Sequence, residues 1–262
     1  MIFAYLILVL IFVPFAVGLT AFCFSGKPKK ISVILFHRIS NSLPKSLSEV
    51  STKKFEKFCK EVKENKVCIA FDDGHKSVFD LAFPILKKYN LTATAFVASG
   101  IISDEKIDDF YSTKDMMSAE NLKELSENSW EIASHSVHHL DLTLLNDNDL
   151  RKELEKSKYD LEKLIGKPVK SLSFPYGSWN EKVIETAKNC GYEKFIAYRK
   201  HKGEIIPTIA IFPFDDKNDM KNKISGEIKG LTKVLAVVIP HFAKGTPVFF
   251  WNKLYNFRKT LK

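Results

Sequence analysis

The strongest constraint on what this chain can fold into is a regular exchange of two kinds of segment. From Lys30 onward, short β-like apolar runs alternate with longer stretches whose apolar residues recur at helical spacing. The runs extend from Ile31 to His37, Val67 to Phe71, Thr92 to Val97, Trp130 to Ser134, Ser171 to Phe174, Lys194 to Tyr198 and Pro207 to Phe212. Between them the spacing predicts helices from Lys53 to Asn65, Ser77 to Tyr89 (interrupted by Pro84), Ser118 to Asn128, Asp149 to Ile165 and Asn180 to Asn189. Ser118-Ala-Glu-Asn121 opens the third of these, and Gly166 and Gly191 stand where helix C-terminal glycines belong. Such alternation implies an α/β fold around a mostly parallel sheet, open or closed. In folds of that kind the chemistry gathers at the C-terminal ends of the strands.

Three strand ends carry polar groups. The run at Val67 ends in Asp72-Asp73-Gly74, which delivers two adjacent carboxylates to a glycine turn. Side by side they repel, and keeping both ionised at an apolar strand end requires a compensating cation. The run at Trp130 ends in HSVHH, with His135, His138 and His139, and the run at Ser171 ends in Phe174-Pro-Tyr176-Gly. One Asp and two His leave room for water, the pattern of an open, zinc-like catalytic site. A lone histidine is more often a core or surface group, and carboxylate turns are common in loops. Here, however, three of the seven histidines fall within the five residues that follow one strand.

With 262 residues the chain has the length of one α/β barrel, and no repeat or low-complexity linker divides residues 31–228. Residues 1–24 contain no charged side chain and are long enough to cross a bilayer, so they read as a transmembrane anchor or uncleaved signal. Lys27, Lys29 and Lys30 follow immediately and weakly favour a cytoplasmic catalytic domain; the expectation is a single span in the inner or cytoplasmic membrane, with the side left open. The net charge of +9 is concentrated at the other end, since no acidic residue follows Glu227. Residues 229–262 are basic and aromatic, and fit either a membrane interface or a final packed helix. No nucleic-acid-binding motif accompanies that charge, so nucleic acid is not expected as a partner. Cys23, Cys59, Cys68 and Cys190 lack metal-type spacing and read as free thiols.

IAFDDG at 69–74, SHSVHHLDLTLL at 134–145 and SFPYG at 173–177 resemble, in order, the first three motifs of the polysaccharide deacetylase family (carbohydrate esterase family 4, with NodB homology). The resemblance covers roughly residues 31–215. It implies a distorted (β/α)7 barrel, here with an N-terminal transmembrane helix. It also implies hydrolysis of an N-acyl group, most often acetyl, from an amino sugar, assisted by one divalent metal ion: zinc, with cobalt, nickel or iron as alternatives. By the motif match Asp73, His135 and His139 would hold the metal, Asp72 would be the general base and the Tyr176 backbone N–H an oxyanion donor. One carboxylate would then ligate while its neighbour accepts the water proton, and strand alternation would let adjacent residues take different roles. The substrate would be an amino-sugar polysaccharide or a lipid-linked glycan at the membrane.

The departures from the family pattern are specific. An arginine common two residues before the third motif's proline is Ser173, and the usual proline after the second motif is Leu140. No late Leu-x-His motif supplies a general acid, and His241 lies in the basic tail. Leu35-Phe36-His37, ending the first strand, resembles the rearranged poly-N-acetylglucosamine deacetylase subgroup, which makes His37 the candidate acid. His138 is offset from both ligands and reads as a supporting or surface residue. Two further functions remain to be weighed. A catalytically weak glycan-binding or assembly protein would be expected to lose ligands first, and a two-metal phosphoesterase would need more of them.

Overall fold

The computed structural model describes residues 33–44, 46, 48–62, 67–103, 115–198 and 203–225. Residues 1–24 and 229–262, and with them the proposed anchor, basic tail and His241, lie outside the described residues. Among the described residues no helix is long and apolar enough to cross a membrane.

Seven parallel strands close into a barrel. In chain order the described elements are β1 (Val33–Phe36), β2 (Arg38–Ser40), β3 (Glu49–Ser51), α1 (Thr52–Val62), β4 (Cys68–Phe71), α2 (Phe83–Lys88), β5 (Thr94–Val97), α3 (Ala119–Glu127), β6 (Glu131–Ser134), α4 (Asp147–Ile165), β7 (Ser171–Ser173), α5 (Glu181–Asn189), β8 (Lys194–Tyr198), β9 (Ile205–Ala210) and α6 (Lys217–Ser225). The order around the barrel is β1-β4-β5-β6-β7-β8-β9, and β9 pairs with β1 to close it. Each of the seven runs read as a strand supplies one stave. The small parallel pair β2-β3, inserted between β1 and α1, was not anticipated, nor was α6. β2 and β3 are three residues each, too short for periodicity to register.

The helices fall near their expected positions for identifiable reasons. Ser118 and Asn121 form a reciprocal capping box at the start of α3. Gly166, at φ 66°, ends α4 in the left-handed conformation that glycine adopts without a Cβ clash. Pro84 is accommodated by a π-type turn over Val78–Ala82, in which the Phe83 N–H reaches back to the Val78 carbonyl. The wider turn precedes the proline's missing donor, so α2 restarts with Pro84 in its first turn.

Strand parity separates two packed regions. Val33, Leu35, Ala70, Phe96, Ala133 and Ile196 form a small cluster inside the barrel. Their neighbours Ile34, Phe36, Ile69, Phe71, Ala95, Val97, Ile132 and Leu172 face outward into the larger core beneath the helices. Behind β1 and β4 this core is aromatic. Phe36 packs edge-on against Phe55 and Phe58, with centroids 5.1 and 5.0 Å away, and Phe71 stacks on Trp130 at 5.7 Å. The strands that carry His37 and Asp72 are therefore fixed from behind by large rings.

Candidate active site

Parity also determines what reaches the barrel mouth. Continuing the inward register of Val33-Leu35 places His37 inward, that of Ala70 places Asp72, and that of Ala133 places His135. Asp73 would face away on a continuing strand, but its backbone turns left-handed (φ 77°) and returns its carboxylate to the same site. Gly74 follows at φ 89°, and a Cβ there would stand 3.2 Å from side-chain atoms of both Val97 and Ile101. The adjacent carboxylates thus converge, where plain strand alternation would have separated them. His135 Nε2 lies 3.6 Å from Asp73 Oδ1 and 4.0 Å from Asp72 Oδ2.

The proposed ligand residues come together. Asp73, His135 and His139 are all buried, each offering a donor atom within 4.8 Å of the others. His139 Nε2 is 3.5 Å from Asp73 Oδ1, and the two imidazole centroids are 4.9 Å apart. His135 Nδ1 donates to the Ser173 carbonyl at 2.8 Å, which leaves the Nε2 lone pair directed at the carboxylate. Burial, then the neighbouring His139, pushes the His135 imidazole down to about 3, so it is neutral at physiological pH. The contacts of 3.5–3.6 Å to Asp73 are too long for hydrogen bonds. A carboxylate oxygen with two nitrogen donors around it, not hydrogen-bonded to them, suits a divalent cation.

Asp72 is buried, and burial followed by the adjacent Asp73 charge pushes its carboxyl well above the usual range. The Ser173 hydroxyl opposes that shift by donating to Asp72 Oδ2 at 3.2 Å. The residue that stands where the family commonly has an arginine therefore touches the Asp72 carboxylate. His37 is half-buried beside Asp72, whose backbone N–H bonds the Phe36 carbonyl at 3.0 Å. Burial lowers its pKa, the Asp73 charge raises it and His139 lowers it, so His37 lies within the electrostatic field of the cluster. Tyr176 occupies the Pro175–Gly177 turn at φ 58°, its ring edge-on to His139 with centroids 4.7 Å apart.

Six non-glycine residues among those described have positive φ: Asp73, Asn90, Ser129, Ser136, His139 and Tyr176. Four of them, Asp73, Ser136, His139 and Tyr176, belong to this site or its loops, a concentration of backbone strain expected where geometry serves chemistry. Sequence reasoning missed two contributors. Glu153 and Ser157 of α4 bond the loop that bears the histidines, and their only signal was a polar residue in the apolar stripe of that helix. His138 turns away from the cluster to pair with Glu153 Oε1 at 2.5 Å.

The fold and the site together define a parallel α/β barrel that carries, at its C-terminal strand ends, a donor set for one cation with a further carboxylate beside it. The chain belongs to the polysaccharide deacetylase family, whose profile matches residues 60–195, half of its length. It is 28% identical over 192 residues to the Bacillus subtilis protein YxkH, an alignment covering 64% of each chain. It is 31% identical over 137 residues to a Staphylococcus aureus poly-beta-1,6-N-acetyl-D-glucosamine N-deacetylase, covering 49% of this chain and 46% of that one. The chain thus spans less than two thirds of the length of either relative. Among solved structures it resembles Streptococcus pyogenes deacetylase PplD (TM-score 0.67, 20% identity, 76% of this chain and 99% of that one). It also resembles IcaB from Ammonifex degensii (TM-score 0.61, 18% identity, 76% and 97%). These structural likenesses establish the fold.

Proposed function

We propose that this protein is a metal-dependent hydrolase that removes the N-acetyl group from an amino sugar of a surface polysaccharide, with Asp73, His135 and His139 holding one divalent cation. The observation that carries this reading is the convergence of those three buried side chains on one point, with Asp72 beside them. A cation bound there acts as a Lewis acid toward the amide carbonyl and lowers the pKa of water.

The chain's own residues supply the proton transfers. Asp72 takes a proton from the attacking water as its oxygen bonds to the acyl carbon. The Tyr176 N–H donates to the developing oxyanion, an interaction worth about 3 kcal/mol in sites of this type. The C–N bond then breaks, its electrons stay with nitrogen, and His37 protonates the leaving amine. Burial lowers the His37 pKa and the Asp73 charge opposes that shift. The proton that Asp72 took from the water passes to His37, whose affinity for it rises with the negative charge on the substrate oxygen, and from His37 to the leaving nitrogen, so one proton serves both steps.

Membrane anchoring by residues 1–24 would hold the barrel near a nascent polysaccharide, and a lipid-linked glycan is the second substrate consistent with such tethering. Zinc suits the donor set, with cobalt, nickel or iron as alternatives. The reading is tested by measuring acetate and free amine released from poly-N-acetylglucosamine oligomers, alongside metal content. Asp72→Asn is expected to abolish acetate release at near wild-type metal content, and His135→Ala to strip the metal. Full activity of Asp72→Asn would refute the base assignment. Unchanged metal stoichiometry in His135→Ala would refute the ligand set.

A further inference from the structure

We propose that Glu153 is a positioning residue for the metal site, acting from outside it by clamping the loop that presents His135 and His139. The inference rests on the reading of those histidines as cation ligands. Loop residues 135–139 must bring two imidazoles, four positions apart, to one carboxylate without forming a helix. They do so by turning left-handed at Ser136 (φ 65°) and again at His139 (φ 57°), a conformation L side chains rarely adopt. A loop folded against its own preference keeps its shape only if its surroundings over-determine it.

Part of that constraint is internal. The Ser136 N–H donates to Ser134 Oγ at 3.2 Å and the His139 N–H to Ser136 Oγ at 3.1 Å. The 3-10 turn Ser99–Ser103 adds two backbone bonds, from the Ser99 and Gly100 N–H groups to the carbonyls of Ser136 and Val137. His135 is tied by its N–H to the Val97 carbonyl and by Nδ1 to the Ser173 carbonyl, and the middle of the loop is held by α4. Glu153 Oε2 accepts the N–H groups of both Val137 and His138 at 3.0 Å, and Oε1 pairs with His138 Nδ1 at 2.5 Å. One turn further along the helix, the Ser157 hydroxyl donates to the Ser136 carbonyl at 3.0 Å.

Glu153 is only 7% exposed and lies in the buried stripe of α4 with Leu150, Leu154 and Leu161. A carboxylate among leucines is costly to desolvate unless both oxygens are satisfied. Here both are directed at a single five-residue loop, whose two end residues are the proposed ligands. The third histidine of the HSVHH motif thereby acquires a role, as the side chain that Glu153 grips between the two that face the cation.

The proposal is tested by the zinc affinity of the full chain, measured by competition with a chelating indicator, together with thermal melting of the metal-free proteins. Glu153→Ala is expected to weaken zinc binding about 10- to 100-fold, the usual effect of losing a partner that orients ligands. Glu153→Gln keeps an acceptor for the two backbone N–H groups and should retain most of the affinity, whereas His138→Ala, which leaves the Oε2 bonds intact, should show a smaller loss than Glu153→Ala. Wild-type zinc affinity in Glu153→Ala, or a lowered metal-free melting temperature with unchanged affinity, would overturn the proposal by leaving Glu153 a packing role. If Glu153→Ala does not fold, Glu153→Gln and His138→Ala carry the same comparison, and full wild-type affinity in both overturns it. Asp73→Asn separates the two levels of inference. If wild type binds zinc, Asp73→Asn does not and the Glu153 variants bind normally, only the positioning role fails; if wild type binds no zinc, the ligand assignment fails with it.

Discussion

Replacing Ser173 with alanine tests how this site works without the arginine common in its family. The Ser173 hydroxyl donates to Asp72 Oδ2 at 3.2 Å, and the other oxygen, Oδ1, is buried with no hydrogen-bond partner among the described residues. A hydrogen bond to a charged group contributes about 1.5–3 kcal/mol. At 3.2 Å this one is longer than the usual range of about 2.5–2.7 Å for a hydroxyl on a carboxylate, so the lower end applies. About 1.5 kcal/mol corresponds to roughly a tenfold fall in kcat/KM for acetate release. The Ser173 carbonyl, which receives His135 Nδ1, survives the substitution, so metal content should not change. Ser173→Thr restores a hydroxyl and should recover most of the loss. Steady-state kinetics on acetylated glucosamine oligomers, with metal analysis of the same samples, makes the measurement. Wild-type kcat/KM in Ser173→Ala would show that the hydroxyl does not support the base. Loss of metal would instead mean that Ser173 acts through His135.

Three other outcomes follow from the same structure. His37→Ala should slow amide hydrolysis about 10²- to 10⁴-fold, but should have much less effect on an aryl acetate whose phenolate leaves without a proton; equal losses on both substrates would remove His37 from the acid role. Lys223 and Asp215 form a fully buried pair at 2.5 Å, with the Lys223 ammonium also donating to the Ala210 carbonyl at the end of β9. Lys223→Met strands the carboxylate at a cost of about 3–5 kcal/mol, lowering the melting temperature by roughly 10 °C, and adding Asp215→Asn should recover part of it. The Cys59 thiol is pushed up to about 12, chiefly by burial, so the fold favours its protonated form and loses stability as pH climbs from 9.0 toward that value, while exposed Cys68 remains accessible. Iodoacetamide at about pH 8.5 should therefore label Cys68 and spare Cys59 in peptide mapping, and Cys59 should react only on unfolding or near pH 12.

How much of this was legible in the sequence depended on the range over which each feature is encoded. Strand runs such as that ending at Phe71 carry a local apolar pattern and were found, because a strand buried on both faces reads as continuous apolar sequence. Barrel closure was not legible in that way, since pairing of Val33 with Thr208 joins the first and last strands in the sequence of the barrel and leaves no local trace. The resemblance pointed to a barrel where periodicity left the sheet open or closed. The Asp-His-His cluster was legible because its residues sit at strand ends, where parity and parallel order bring them together. Ser173 was visible only as a departure, because its partner Asp72 lies 101 residues away. Glu153 was hidden for the opposite reason: within α4 its pattern is that of an ordinary helix with one polar residue on its apolar face.

The absence of the arginine bears on whether this barrel hydrolyses a glycan or merely binds one. Were the site degenerate, nothing need hold Asp72, and the carboxylate could drift to solvent or be replaced. Instead Ser173 bonds Asp72 through its hydroxyl and His135 through its carbonyl, so one residue sets the orientation of both the proposed base and a proposed ligand. That double contact depends on strand geometry, because Ser173 pairs with Ile196 of β8 and the next N–H, of Phe174, bonds the Ile196 carbonyl at 3.2 Å. A glycan-binding surface gains nothing from two adjacent buried carboxylates, which oppose each other's ionisation and whose desolvation must be offset elsewhere. A hydrolase needs both, one to bind a cation and one to hold a proton next to it. Burial and the Asp73 charge favour the protonated form of Asp72, and the Ser173 hydroxyl opposes them by donating to its carboxylate, the form the proposed base needs before it can take a proton from water.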